Sequence, residues 1–251
     1  MIGVYFSGTG NSRYAIEVFL KAFEAKAFSI EDSNVLEEIK KHEQIVFSYP
    51  VQYSTVPKML REFIIENKNL WSNKKVFIIA TMGLFSGDGV GALGRLMKKC
   101  GAEIIGGLHL KMPDSIADEK VLKRSKDRNI QMVRNAERKI EKAVIDMKRG
   151  NPPKEGIGLF CQMIGLFGQR LYFGHKTKQY RKKIKIDIQK CVGCRKCERL
   201  CPMQNLEFVN EKIRQNGKCT MCYRCVNNCP QKAITILGKA VVEHSIIEKY
   251  L

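Results

Sequence analysis

Cys191-Val-Gly-Cys194-Arg-Lys-Cys197-Glu-Arg-Leu-Cys201-Pro202 recurs 28 residues later as Cys219-Thr-Met-Cys222-Tyr-Arg-Cys225-Val-Asn-Asn-Cys229-Pro230. Each run reads C-x2-C-x2-C-x3-C-P, the spacing of two [4Fe–4S] clusters in which the fourth Cys of each run ligates the other cluster. One cluster is therefore expected on Cys191, Cys194, Cys197 and Cys229, and the other on Cys219, Cys222, Cys225 and Cys201. Three thiolates two residues apart let a tight loop wrap one face of a cuboidal cluster. The fourth must come from the other run. Pro202 and Pro230 end the wrapping, because proline fixes φ and offers no N–H.

Two other uses of these cysteines stay open at this point. Repeated C-x2-C steps can build tetrahedral zinc sites, although zinc motifs bring Cys in pairs and here it comes in two matched runs of four. A disulfide framework would suit an exported protein, yet Met1 leads straight into an apolar, strand-like run with no cationic leader. Over about Ile184 to Leu251 the chain resembles the two-cluster bacterial ferredoxins.

Working outward, 251 residues with 44% hydrophobic content allow one large domain or two modest ones. The expected division is residues 1–150, a joining segment 151–183, and residues 184–251. Of the ten cysteines, Cys100 and Cys161 fall outside the runs and read as small buried hydrophobes. No apolar stretch is long enough for a membrane-spanning helix, and thiols with clusters imply a reducing cytoplasm. The formal charge is +19, split as +7 over residues 1–150 and +12 over residues 151–251. Two oxidised clusters with their thiolates would bring roughly −4, which leaves the chain strongly basic. An acidic redox-protein partner or an anionic membrane surface is the natural expectation. Nucleic acid lacks a supporting motif. Gly156–Phe173 is apolar and glycine-rich, and the basic run His175–Lys185 follows it. The two read as a packed helix or hairpin with a charged linker, or as a peripheral membrane contact.

At the other end of the chain, Ile2–Phe6 reads as a buried strand running into Ser7-Gly-Thr-Gly-Asn-Ser12 and then an amphipathic helix. Such a strand–loop–helix unit cradles a phosphate, since backbone N–H groups and the helix dipole both favour an anion. Gly8 and Gly10 allow close approach, Ser7, Thr9 and Ser12 add hydroxyls, and Asn11 or Ser12 could cap the helix. It is neither a Walker A loop nor G-x-G-x-x-G. Further strands are expected at Lys26–Ile30, Ile45–Tyr49, Lys75–Ala80 and Glu103–Lys111, with helices at Val56–Asn67, Val90–Cys100 and up to Arg149. Strands alternating with helices predict a doubly wound α/β fold with a parallel sheet. Its ligand crevice lies at the carboxyl ends of the strands. There the sequence places Ser7–Ser12, the loop Pro50, Val51, Gln52 and Tyr53, and the loop Thr81, Met82, Gly83, Leu84, Phe85 to Gly87.

Tyr5-Phe-Ser-Gly-Thr-Gly-Asn-Ser12 resembles the FMN phosphate loop of flavodoxin-like proteins, a likeness that covers roughly Met1–Arg149. It implies strand order 2-1-3-4-5, the FMN phosphate on Ser7, Gly8, Thr9, Gly10, Asn11 and Ser12, and the isoalloxazine ring between the other two loops. Tyr53 and Phe85 are the candidate stacking aromatics. The chain departs from flavodoxins in being basic. As a whole it resembles the flavodoxin–ferredoxin fusions of anaerobic prokaryotes. Three functions follow as expectations. The first is an electron carrier relaying single electrons between clusters, FMN and an outside partner. The second is a flavin-dependent reductase with a built-in ferredoxin donor. The third is a ferredoxin on a flavin-free docking domain.

Overall fold

The computed structural model describes residues 1–52, 55–84, 88–158 and 183–251. Strands β1 (Ile2–Tyr5), β2 (Ala27–Ser29), β3 (Gln44–Pro50), β4 (Lys75–Met82) and β5 (Glu103–Lys111) form one sheet. All neighbours are parallel and the order is β2-β1-β3-β4-β5, the flavodoxin-like arrangement. The crossovers are helices α1 (Asn11–Lys21), α2 (Val35–Lys40), α3 (Lys58–Glu66) and α4 (Gly89–Lys99), and α5 (Lys126–Lys148) follows β5.

The inner strands are apolar on both faces because both faces are covered. Successive side chains alternate between two cores, as strand geometry requires. Ile45, Phe47, Val76 and Ile78 pack on the side of Leu60, Ile64 and Leu93. Val46, Phe77 and Ile79 pack on the side of Ile16, Phe19, Val133 and Ile140. Burying each such side chain contributes roughly 1.5–3 kcal/mol. Trp71 is fully buried in the first core and reaches Phe47 and Phe63.

The C-terminal half is small and doubled. Strand β6 (Lys185–Ile186) pairs antiparallel with β9 (Ile234–Thr235), while β7 (Leu206–Val209) and β8 (Lys212–Gln215) make a hairpin. The hairpin turn has positive φ at both central residues, Asn210 (49°) and Glu211 (61°), as a type I′ turn requires. Helices α6 (Lys196–Leu200) and α7 (Arg224–Asn228) stand 28 residues apart, like the cysteine runs. The backbone repeats with them. Positive φ values occur in register at Gly193 (65°) and Met221 (56°), Arg195 (58°) and Tyr223 (59°), and Gln204 (47°) and Lys232 (50°). For non-glycine residues that conformation costs roughly 1–2 kcal/mol each.

The halves share their interiors. Ala117, from the segment after β5, belongs to the third core with Ile184, Leu206, Val226 and Ile234. In return Ile247 and Tyr250, near the end of the chain, sit in the second core beside α1 and α5. Among the described residues no helix is long and apolar enough to cross a membrane. The apolar and basic segment expected between the halves lies mostly outside the described residues.

Candidate functional site

The carboxyl ends of the parallel strands open on one cavity of about 380 Å³, within the range of sites for compact cofactors. Ser7, Gly8, Thr9, Asn11 and Ser12 form one side of it, Pro50, Val51 and Gln52 the second, and Thr81, Met82, Gly83 and Leu84 the third. The N–H groups of Gly8, Thr9, Asn11, Ser12 and Arg13 meet no acceptor among the described residues. A cluster of unanswered amides at the start of α1 fits a phosphate. The loop is braced from beneath. Ser12 and Thr81 hydroxyls bond at 2.7 Å, Ser48 Oγ donates to the Ser12 carbonyl at 2.8 Å, and Gly10 N–H donates to Ser7 Oγ at 3.1 Å.

Two expectations change here. Neither Asn11 nor Ser12 caps α1. The cap position is Gly10, with φ 93° and no side-chain bond, and Asn11 and Ser12 are already inside the helix; Asn11 Nδ2 donates to the Pro113 carbonyl at 2.7 Å and Ser12 bonds Thr81. Gly10 also faces away from the cavity, and a Cβ there would overlap Ile247 from the C-terminal tail. Tyr53, Phe85 and Gly87 lie outside the described residues.

A fourth wall was missing from the sequence reading: Pro113, Asp114, Ser115 and Ile116, the loop after β5. The signal was available, since a fifth parallel strand must deliver its loop to the same edge. Ser115 Oγ bonds Thr9 Oγ1 at 2.8 Å. Burial raises the Asp114 carboxyl above its ordinary value; the Ile116 N–H, at 2.8 Å, and nearby Lys123 and Arg124 act against that rise. A Cβ on Gly83 would overlap the Asp114 carboxylate.

The fold carries the eight run cysteines into two groups. One void is walled by Cys191, Cys194, Cys197 and Cys229 with Ile186, Val192, Ile213 and Ile234. The other is walled by Cys201, Cys219, Cys222 and Cys225 with Ile184, Leu206 and Ile236. Each void thus takes three thiols from one run and the last thiol of the other. Burial pushes the Cys197 thiol up to about 11, and Cys229, Cys191 and Cys194 add to the rise. Burial likewise raises Cys225, followed by Cys222, Cys219 and Cys201. Among the described residues no three Cys, His, Asp or Glu side chains close on a point fit for a single metal ion. Each set of four thiols lines a void, an arrangement that fits a polynuclear cluster. N–H donors already point at sulfur in register, from Asn205 to Cys201 at 3.2 Å and from Ala233 to Cys229 at 3.3 Å. Asn205 Nδ2 and Thr220 Oγ1 are buried without a partner, and both residues line the second void. Orphaned donors of this kind fit a cluster whose sulfides accept hydrogen bonds.

The two sites abut. Met221, Cys222 and Tyr223 complete the sheet-edge cavity, so Cys222 and Tyr223 line both it and the second thiol void. Gly8 makes the approach possible, because a Cβ there would overlap the Cys222 carbonyl oxygen. Gln52 Nε2 donates to the Met221 carbonyl at 3.3 Å. Arg224 donates to both Glu31 carboxylate oxygens, at 2.6 and 2.8 Å, and to the Ser7 carbonyl at 2.8 Å. Asn227 Nδ2 donates to the Ser115 carbonyl at 2.8 Å. Asp118, fully wrapped, accepts from Tyr223 Oη at 3.0 Å and from the N–H groups of Ile236 and Leu237 at 2.6 and 2.9 Å. None of these cross-contacts was foreseen from sequence.

Residues 183–230 match the family model of the 4Fe-4S dicluster domain. No curated protein matches the chain. Among solved structures the chain is similar to two-electron reduced Megasphaera elsdenii flavodoxin, at 23% identity over 45% of this chain and 89% of that one, with a TM-score of 0.41. It is similar to Fusobacterium nucleatum flavodoxin bound to flavin mononucleotide, at 15% identity over 60% and 98%, with a TM-score of 0.42. It is also similar to the Trp repressor binding protein of Bacillus subtilis, at 19% identity over 55% and 97%, with a TM-score of 0.42. The chain joins a flavodoxin-like sheet to a domain of the 4Fe-4S dicluster type.

Proposed function

We propose that this chain is an electron-transfer iron–sulfur flavoprotein that relays single electrons between two [4Fe–4S] clusters, FMN and an external redox partner. Iron–sulfur clusters exchange electrons singly, and flavin exchanges one or two. The observation that carries the reading is the shared wall, since Cys222 faces the second thiol void and the sheet-edge cavity at once. The cluster on Cys201, Cys219, Cys222 and Cys225 is then the inner one, beside the flavin. The cluster on Cys191, Cys194, Cys197 and Cys229 is the outer one, with Cys194 exposed.

The residues have separable tasks. The amides at the start of α1 and the hydroxyls of Ser7 and Thr9 would hold the phosphate, while Ser12 braces the loop through Thr81. The Pro50–Gln52, Thr81–Leu84 and Pro113–Ile116 segments enclose the ring and exclude water. Arg224, Gln52 and Asn227 fix the inner cluster loop against that enclosure. Asp114 is the acid that lines the enclosure, with its carboxyl raised by burial. A flavin-dependent reductase is the second reading. It is favoured by a further cavity of about 440 Å³ that shares Met82 and Leu84 with the first and adds His109, Lys139 and Glu155.

Protein purified anaerobically without added cofactor should carry about eight irons with matching sulfide, and it should carry or take up about one FMN per chain. Eight irons with no FMN uptake would leave a ferredoxin on a docking domain. Zinc in place of iron would sink the relay.

A further inference from the structure

The internal repeat makes the two cysteine loops equivalent, and among the described residues only the second is covered by the sheet domain. The face of α7 that meets the sheet domain is made by Arg224 and Asn227, which bond Glu31, the Ser7 carbonyl and the Ser115 carbonyl. Cys222 lies in front of it against Gly8. Stepping back 28 residues turns this face into Lys196 and Arg199 on α6, with Cys194 in front. There the surroundings differ. Thr220, Met221 and Tyr223 are buried at 7%, 7% and 3% exposure, whereas Val192 is 65% exposed and Cys194, Lys196 and Arg199 are exposed. Ile188, four residues before Val192, is exposed as well, at 61%.

Charge says what fits. On the occupied loop the guanidinium of Arg224 takes a carboxylate, Glu31. On the free loop Lys196 and Arg199 form no ion pair among the described residues, and the neighbouring acids are already engaged. Asp187 pairs with Lys190 at 3.1 Å, and Glu198 pairs with Arg195 at 2.8 Å while accepting the Phe208 N–H at 2.9 Å. Val192 and Lys196 line the first thiol void, and with exposed Ile188 and Arg199 they offer apolar and cationic groups that complement an acidic protein surface.

We infer that the Ile188–Arg199 face is the docking surface for an acidic one-electron carrier protein, received on the first cysteine loop as the sheet domain is received on the second. The inference rests on the two-cluster relay proposed above. In the transfer one electron leaves the reduced carrier, which is oxidised, and reduces the outer cluster. No bond forms or breaks and no proton moves.

The test uses the anaerobic holoprotein and two reductants, a purified acidic bacterial ferredoxin in its reduced form and a small neutral one-electron reductant. Stopped-flow traces follow bleaching of the clusters. Arg199→Glu and the double variant Lys196→Glu/Arg199→Glu are compared with Lys98→Glu/Lys99→Glu, the same charge change on α4. The double variant on α6 should slow reduction by ferredoxin about tenfold or more at low salt and flatten its salt dependence. The single variant should lie between, and the α4 variant should stay near wild type. Reduction by the neutral reagent, iron content and the cluster spectrum should not change. The inference is overturned if the α4 and α6 variants behave alike. It is also overturned if the α6 charge reversal leaves the ferredoxin rate intact but abolishes cosedimentation with phosphatidylserine vesicles, which would assign the face to lipid. A holoprotein with full iron and a silent α6 variant rejects the docking surface alone. A protein without iron rejects the relay and the surface with it.

Discussion

Asn205 shows how much chemistry a single side chain carries here. Its Oδ1 accepts the Lys218 N–H, its own N–H donates to Cys201 Sγ, and its Nδ2 is buried without a partner beside the second thiol void. A donor aimed at cluster sulfur favours the more negative, reduced state. Asn205→Ala should therefore lower the potential of the inner cluster. One hydrogen bond of about 1 kcal/mol corresponds to roughly 40 mV in a one-electron couple, to be read by an EPR-monitored redox titration. The outer cluster should not shift. Asp114 makes a different statement. Its carboxyl is raised from an ordinary value of 3.8, chiefly by burial. A raised carboxyl binds its proton more tightly in the folded state. Its favourable contribution is thus full below the unfolded value and is lost as pH rises through the native one. Wild type should lose stability relative to Asp114→Asn as pH climbs from below 3.8, and denaturant midpoints in the FMN-free protein across that range would show it. Parallel curves for the two proteins would place the charge of Asp114 in solvent.

At the scale of elements, α7 is both a cluster-loop helix and an interdomain clamp. Arg224 spans from Glu31 to the Ser7 carbonyl on one side and to the Leu200 carbonyl, at 3.3 Å, on the other. Its side chain and that of Glu31 are 18% and 26% exposed, so the pair is shielded enough to count. Arg224→Ala should cost about 2 kcal/mol and slow electron exchange between inner cluster and flavin, with the cluster spectra unchanged. The same clamp marks where reading a sequence stops. The strands of the sheet were legible because apolar runs with no polar alternation mean strands buried on both faces. The phosphate loop was legible because its glycines and hydroxyls are contiguous. The grouping of Cys229 with the first run was expected from the two-cluster pattern that the spacing matches. The Pro113–Ile116 wall carries no motif, and only the topology of β5 points to it. That Gly8 meets Cys222, or that Asp118 receives three donors from the far half, depends on how two separately readable units face each other. No local pattern encodes that.

For the molecule as a whole, the halves are coupled through a site that neither completes alone. The sheet-edge cavity takes most of its wall from the first half, but Met221, Cys222 and Tyr223 come from the second. Tyr223 is held by Asp118, whose carboxylate also receives the N–H groups of Ile236 and Leu237. Cluster loops with several residues at positive φ do not keep their shape unaided, and metal-site assembly is commonly part of folding. Removing iron should loosen the second half, withdraw that wall, and leave Ile247 and Tyr250 less firmly seated beside α1. On the proposed relay FMN affinity should be linked to cluster assembly, and by reciprocity FMN should protect the inner cluster from loss. Protein stripped with a chelator, and the Cys219→Ser/Cys225→Ser variant, should bind FMN about tenfold more weakly than the holoprotein. Quenching of flavin fluorescence on titration reads the effect. Asp118→Ala should weaken FMN binding in the same direction with the irons still in place, because it removes the carboxylate that receives Tyr223 Oη and the Ile236 and Leu237 N–H groups without touching a thiol. If iron removal leaves FMN affinity unchanged while Asp118→Ala lowers it, the second half stays folded without metal and the coupling runs through the protein wall alone. If neither changes it, the cavity is complete in the first half, and the shared wall plays no part in holding the flavin.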